Sequence, residues 1–237
     1  MSDQIFPPEI LDLFLDELGL TIKDPKSYEA LLACILVNRQ FHHKATSYIF
    51  SSLTISRRRS QKRLRTLCDI LIVNPDIARH IRSFTLEGGL SLIEPLPDVF
   101  KQLSHLQEFR WICRVRNWDH EDTIAGSIEN LCNPRSLTTL HLEKIDNFPL
   151  SLLSPCCCLE SLTLIMVKFA EMESHLLSSS LFSSLKRLEV RDTINNSQVI
   201  EKIIICAAPT LTTLVLCRPR VLWSKFNFCN FHDSNTS

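Results

Sequence analysis

A hydroxyl, an imidazole and a carboxylate lie close together in the middle of this chain: Ser161, His141 and Glu143. On neighbouring strands such a trio could serve as nucleophile, general base and orienting acid. The surroundings that this chemistry needs are missing. There is no G-x-S-x-G elbow, and glycine, at 4 of 237 residues, is too scarce for an oxyanion loop or a glycine-rich phosphate cradle. The residues therefore predict no catalytic group and no cofactor.

Cys156-Cys157-Cys158 is the next group with chemical potential. Consecutive side chains diverge, so the three cannot all reach one metal, and the chain holds no CxxC and no HxxxH pair. No metal site is expected. The start, Met1-Ser2-Asp3-Gln4, lacks the basic-then-apolar layout of a signal peptide, so the ten cysteines read as reduced, buried, small hydrophobes in a cytoplasmic or nuclear protein. No run approaches the ~20 apolar residues of a membrane span.

Lys plus Arg (26) equals Asp plus Glu (26), which leaves no global field to favour nucleic acid or an anionic membrane. One local exception is Arg57-Arg58-Arg59-Ser60-Gln61-Lys62-Arg63-Leu64-Arg65. It is compatible with a nuclear localisation signal or a phosphate contact. The preferred reading is the solvated start of a helix that buries Leu64, Leu67 and Leu71, because no aromatics are interleaved to stack on bases.

The elements that position these residues follow from a pattern, apolar-x-x-apolar-x-apolar, that recurs seven times. Its copies are Phe50-Leu53-Ile55, Ile81-Phe84-Leu86, Leu106-Phe109-Trp111, Leu137-Leu140-Leu142, Leu159-Leu162-Leu164, Leu185-Leu188-Val190 and Leu211-Leu214-Leu216. Their starts lie 31, 25, 31, 22, 26 and 26 residues apart. The spacers read as helices. Leu64, Leu67, Cys68, Leu71 and Ile72 form one face, and shorter faces recur at Val99-Phe100-Leu103, at Ile124, Ile128, Leu131 and Cys132, and at Val199, Ile200, Ile203 and Ile204. This period resembles that of leucine-rich-repeat proteins, which implies a parallel sheet with returning helices on its convex side. The asparagine ladder of that family is absent: the corresponding positions are Gly89, Arg114, Ile145, Val167, Thr193 and Pro219, so an irregular solenoid is expected.

Before the repeats, Phe6 to Phe50 predicts three helices. Pro7-Pro8-Glu9 is a good helix start, and Ile10, Leu11, Phe14, Leu15 and Leu18 share one face. Asp24-Pro25 opens a second helix, and Ala30 to Val37 is apolar at every position. A helix apolar all round must be covered on all sides, and two short neighbours cannot do this alone. That argues for a module that docks on a partner; the alternative, a plain helical cap on a larger domain, needs none. A third helix carries Phe41, Ala45, Tyr48 and Ile49.

Phe6-Pro7-Pro8-Glu9-Ile10 and Leu36-Val37-Asn38-Arg39-Gln40-Phe41 resemble an F-box, with Phe6, Asn38 and Phe41 standing where the usual motif has leucine, cysteine and tryptophan. The resemblance implies binding to a Skp-family adaptor, and through it a cullin, by Pro7, Pro8, Glu9, Ile10, Leu11, Phe14, Leu36, Val37 and Phe41. The expected fold is thus α/β: an F-box-like helical module over residues 1–50, a repeat solenoid over 51–220, and a cap or tail over 221–237. Strand alternation places Ser83, Thr85, Glu87, Glu108, Arg110, Thr139, His141, Glu143, Ser161, Thr163, Arg187, Glu189, Arg191, Thr213 and Val215 on one outer face. Its charged members, Glu87, Glu108, Arg110, His141, Glu143, Arg187, Glu189 and Arg191, are the candidate contacts for an unknown protein target. The function implied is a non-catalytic substrate receptor of a ubiquitin ligase. The alternative is a leucine-rich-repeat interaction scaffold with no link to ubiquitin, and no nucleic-acid or membrane partner is expected.

Overall fold

The structure, a computed structural model, describes residues 7–56, 60–88, 96–113, 136–153, 155–170, 182–192 and 197–217. Three helices come first: α1 (Pro8–Leu20), α2 (Pro25–Cys34) and α3 (Arg39–Ile49). Proline occupies the first position of both α1 and α2, where its missing N–H has no helical acceptor to lose. The Asp24 carboxylate accepts from the Ser27 amide at 3.3 Å and the Asn38 side chain from the Phe41 amide at 3.0 Å, which caps α2 and α3. Asn38 is therefore a helix cap.

Buried apolar residues fall into two clusters. The first joins Leu15, Leu31, Cys34, Phe41 and Ala45, with Leu11, Leu18, Tyr48 and Ile49 half-buried around them. A polar joint closes it. Lys44 Nζ lies 3.2 Å from Asp12 Oδ1 and 2.7 Å from Asp16 Oδ1, and the Tyr48 hydroxyl donates to Asp16. The Lys44 ammonium, then the Tyr48 hydroxyl, hold the Asp16 carboxyl below its usual range.

The second cluster runs under a sheet of seven strands, all parallel and in sequence order: β1 (Ser52–Ile55), β2 (Ser83–Glu87), β3 (Glu108–Ile112), β4 (Thr139–Glu143), β5 (Ser161–Ile165), β6 (Arg187–Arg191) and β7 (Thr213–Cys217). Each of the seven predicted copies supplies one strand. The register aligns their apolar positions into two stacks: Leu53, Phe84, Phe109, Leu140, Leu162, Leu188 and Leu214, and beside it Ile55, Leu86, Trp111, Leu142, Leu164, Val190 and Leu216. Helices α4 (Ser60–Val73), α5 (Pro75–Ala78), α6 (Leu96–Gln102) and α7 (Ser197–Ala207) return the chain. They cover the stacks through Leu64, Leu67, Leu71, Phe100, Ile200 and Ile203. Phe84, Phe100 and Phe109 form an aromatic corner with ring centroids 5.4 to 6.1 Å apart.

Backbone carbonyls supply the ladder that no asparagine provides. The carbonyl just before a strand takes two amides of the next repeat: Ser51 O accepts from Arg82 and Ser83, both at 2.9 Å, and Arg82 O, Gln107 O, Thr138 O, Glu160 O and Lys186 O do the same in turn. At the other strand end, the amides of Gly88, Cys113, Lys144, Met166 and Asp192 donate to the terminal carbonyl of the next strand. Lys144 (φ 58°), Met166 (φ 53°) and Asp192 (φ 50°) share a left-handed exit there whatever the residue type, while Gly88 takes φ 143°. Hydroxyls reinforce the entry side, with Thr138, Thr210 and Thr212 donating to carbonyls of the preceding repeat at 3.0 to 3.2 Å.

Three expectations change. The run Ala30 to Val37 is not one covered helix: α2 ends at Cys34, and tight turns from Leu36 to Ala33 and Val37 to Cys34 close it. Only Leu31 and Cys34 of that run are buried. Between β4 and β5, the shortest spacer, there is room only for a 3-10 helix, Leu150–Leu153. Asn74-Pro75 ends α4 but also starts α5, again with proline first. The expected helix around Ile124 to Cys132, the aromatic tail after 220 and Arg57 to Arg59 lie outside the described residues. Among the described residues no helix is long and apolar enough to cross a membrane.

Candidate functional site

Two surfaces carry the candidate residues. On the helical module, Leu36 is 86% exposed and Val37 61%, both lifted clear by the turns that end α2. Ile10 and Phe14 on α1 are half-exposed, and Pro7 and Glu9 are exposed beside them. Leu11 is half-buried against the module's core. Phe41 is a correction. It is only 8% exposed and packs with Leu15, Leu31 and Ala45, because the Asn38 cap turns the first face of α3 inward. Leu13, Leu20, Tyr28 and Leu32 add exposed apolar area that the sequence reading did not assign. A three-helix unit that closes its own core while leaving this much apolar surface in water has a face suited to a partner.

The second surface is the sheet face opposite the helices. Strand register arranges it in three rows across the strands. One row runs Ser83, Glu108, Thr139, Ser161, Arg187, Thr213; the next runs Thr85, Arg110, His141, Thr163, Glu189, Val215. The third runs Glu87, Ile112, Glu143, Ile165, Arg191, Cys217. Glu108, Arg110, Arg187 and Arg191 are exposed, and Glu87 and Glu143 are half-buried. His141 (8% exposed) and Glu189 lie on the expected face but are buried there. They point outward in the middle row, where Arg187 and Arg191 flank Glu189 and Arg110 and Glu143 lie beside His141.

Glu189 is clamped by Arg187 at 3.0 Å and Arg191 at 2.5 Å. The Arg187 hydrogen bond, then that of Arg191, holds its carboxyl below the usual range against the effect of burial. Burial alone would raise Glu143, but Lys144 and then His141 outweigh it and hold it low. Lys144, whose ammonium bonds Glu143, joins the site from the positive-φ exit of β4; nothing in the repeat pattern signals it. His141 is held below the ordinary imidazole range by burial and then by the Arg110 charge, with Glu143 and Glu189 opposing. Among the described residues its Nε2 has no hydrogen-bond partner, and the Glu143 carboxylate is 3.6 Å away, too far for a hydrogen bond. Ser161 pairs in register with Thr139, one row away from His141, so the hydroxyl, imidazole and carboxylate trio is not assembled.

A cleft of about 470 Å³ lies where the two clusters meet, lined by His42, His43 and Phe50 on one side and by Asp76, Ile77 and His80 on the other. His43 and His80 meet edge to face at 5.1 Å. The sequence carries no signal for it, since its walls come from segments with unrelated patterns. Among the described residues no group of three His, Cys, Asp or Glu side chains is placed to hold a metal ion. The cysteines are not uniformly buried: Cys34, Cys68, Cys113 and Cys156 are, while Cys157 and Cys217 are exposed. Comparison with protein-family models, curated proteins and solved structures finds no match to this chain.

Proposed function

We propose that this chain is the substrate-recognition subunit of a Skp–cullin–F-box ubiquitin ligase, an F-box module followed by an irregular leucine-rich-repeat solenoid. The observation that carries the reading is the exposure of Leu36 and Val37, together with that of Ile10 and Phe14, on a module whose core is already closed. These are the positions that the F-box resemblance assigns to the adaptor. Covering each such side chain is worth about 1.5–3 kcal/mol at full burial, enough for a few of them to sustain a stable contact. The adaptor would link the helices to a cullin, and the open sheet face would hold the protein target. Transfer of ubiquitin would then be promoted by proximity, with no catalytic group from this chain.

The test is capture of a purified Skp-family adaptor by the full chain, beside Leu36→Asp/Val37→Asp. Neither side chain supports the core, so the variant should keep the wild-type melting curve and lose the adaptor. Binding by both proteins would place the contact elsewhere. Binding by neither would leave a repeat scaffold without the ubiquitin link.

A further inference from the structure

The charges on the open face are not scattered; they are separated by sign. On β2 and β3, Glu87 and Glu108 flank Arg110, a local sum of one negative charge. Neither Glu87 nor Arg110 makes an ion pair among the described residues, and Glu108 accepts only the Ser83 hydroxyl, at 3.0 Å. On β6, Arg187 and Arg191 share the buried carboxylate of Glu189, a local sum of one positive charge. Both guanidiniums remain about half exposed above it. Between the two ends the face is uncharged at its surface: Thr139, Ser161 and Thr163 present hydroxyls, Glu143 is neutralised by Lys144, and His141 is buried and uncharged at neutral pH.

A nucleic acid or an anionic membrane is negative along its whole length and would meet Glu87 and Glu108 unfavourably. A polypeptide can carry both signs at short spacing. The ends lie three to four strands apart, about 14–19 Å at ~4.8 Å per strand. An extended chain rises ~3.3 Å per residue, so roughly four to six residues span that distance. At the β6 end two half-exposed guanidiniums outweigh the one carboxylate they share, so the residual positive charge favours an acidic side chain of the segment.

We propose that the open face takes an extended polypeptide segment laid across the strands, with a Lys or Arg over Glu87 and Glu108 and an Asp or Glu over Arg187 and Arg191. The inference rests on the reading of this face as the target-binding surface and adds the chemistry of what it recognises. It assigns the exposed charges to recognition at the two ends and leaves the hydroxyls between them to bond the segment's backbone.

The test is a set of short peptides in a Ser/Thr/Ala background, each with one Lys and one Glu at varied separations and in both orders, bound to the full chain. Affinity should peak at roughly four to six residues, and replacing the Glu by Gln should weaken it about fivefold, the upper end for an exposed ion pair. Glu87→Lys/Glu108→Lys should switch the preference at that end from Lys to Glu, an outcome that mere loss of folding cannot produce. Affinity independent of separation, or unchanged when the Lys and the Glu are both neutralised, overturns the proposal. A chain that captures the adaptor yet shows no spacing preference fails here while leaving the receptor reading intact; one that captures neither fails both.

Discussion

Gly19 sits one residue from the end of α1, directly under the ring of Tyr48 on α3. A methyl group built there would lie 2.3 Å from Tyr48 Cδ1, 2.4 Å from Cε1 and 2.7 Å from Cγ. Carbon atoms pack at roughly 3.5–4.0 Å, so the ring would have to retreat by about 1 Å. It is not free to do so, because its hydroxyl donates to Asp16 and Asp16 also holds Lys44. Two effects of Gly19→Ala oppose each other. Alanine is favoured over glycine in a helix by about 0.5–1 kcal/mol. Overpacking costs about 1–3 kcal/mol, and the hydrogen bond from Tyr48 to Asp16 opposes the ring's retreat. The clash prevails, for a net cost of up to about 2.5 kcal/mol. In a Tyr48→Ala background the obstacle is gone, and the same substitution should stabilise by about 0.5–1 kcal/mol. The assay is urea unfolding of the four proteins followed by circular dichroism. Tryptophan fluorescence, read beside it, reports a different region, since Trp111, Trp118 and Trp223 all lie outside the helical module. A stabilising Gly19→Ala in the wild type, or one effect in both backgrounds, would refute the packing of α1 on α3.

Leu162 is fully buried in the middle of an apolar stack between Leu140 and Leu188, so Leu162→Ala should cost about 2–5 kcal/mol in a denaturant titration, and a shift within error would mean the register is wrong. Stability should also fall with acid in two stages. His141 and His80 are each held below 6.5 by burial first, His80 then by His43 and Arg82 against Asp76, so the unfolded chain takes up protons first and stability declines as pH falls below about 6.5. Glu189 and Glu143 are held below 4.5; their contribution is complete above that value and is lost as pH falls through their lower folded values. Glu189→Gln should flatten the second stage in a pH series of melting curves; an unchanged slope would mean that the Arg187–Glu189–Arg191 cluster does not form in solution.

Strand position was the most legible feature, because alternation is a local rule. In Leu137-Leu140-Leu142 or Leu185-Leu188-Val190, the residues that must be dry stand at fixed offsets within one strand, and no distant contact is needed to read them. The starts of α1 and α2 were legible for the same reason: a proline acts on its own turn. The carbonyl ladder was invisible, since backbone groups bond alike whatever side chain they carry, and its tight exits use Lys144, Met166 and Asp192 indifferently.

The sequence by itself determined the repeat, the inward stacks and the identity of the outward-pointing residues. Only the tertiary structure decided which of these are accessible. Alternation says that His141 and Glu189 point away from the core, but whether water reaches them depends on Arg110, Arg187 and Arg191 standing around them. The same holds for Phe41, turned into the core by the Asn38 cap, and for Leu36 and Val37, left in water where α2 stops. Direction is a property of one strand or one turn. Burial is a property of everything packed around it, which the order of residues along the chain does not state.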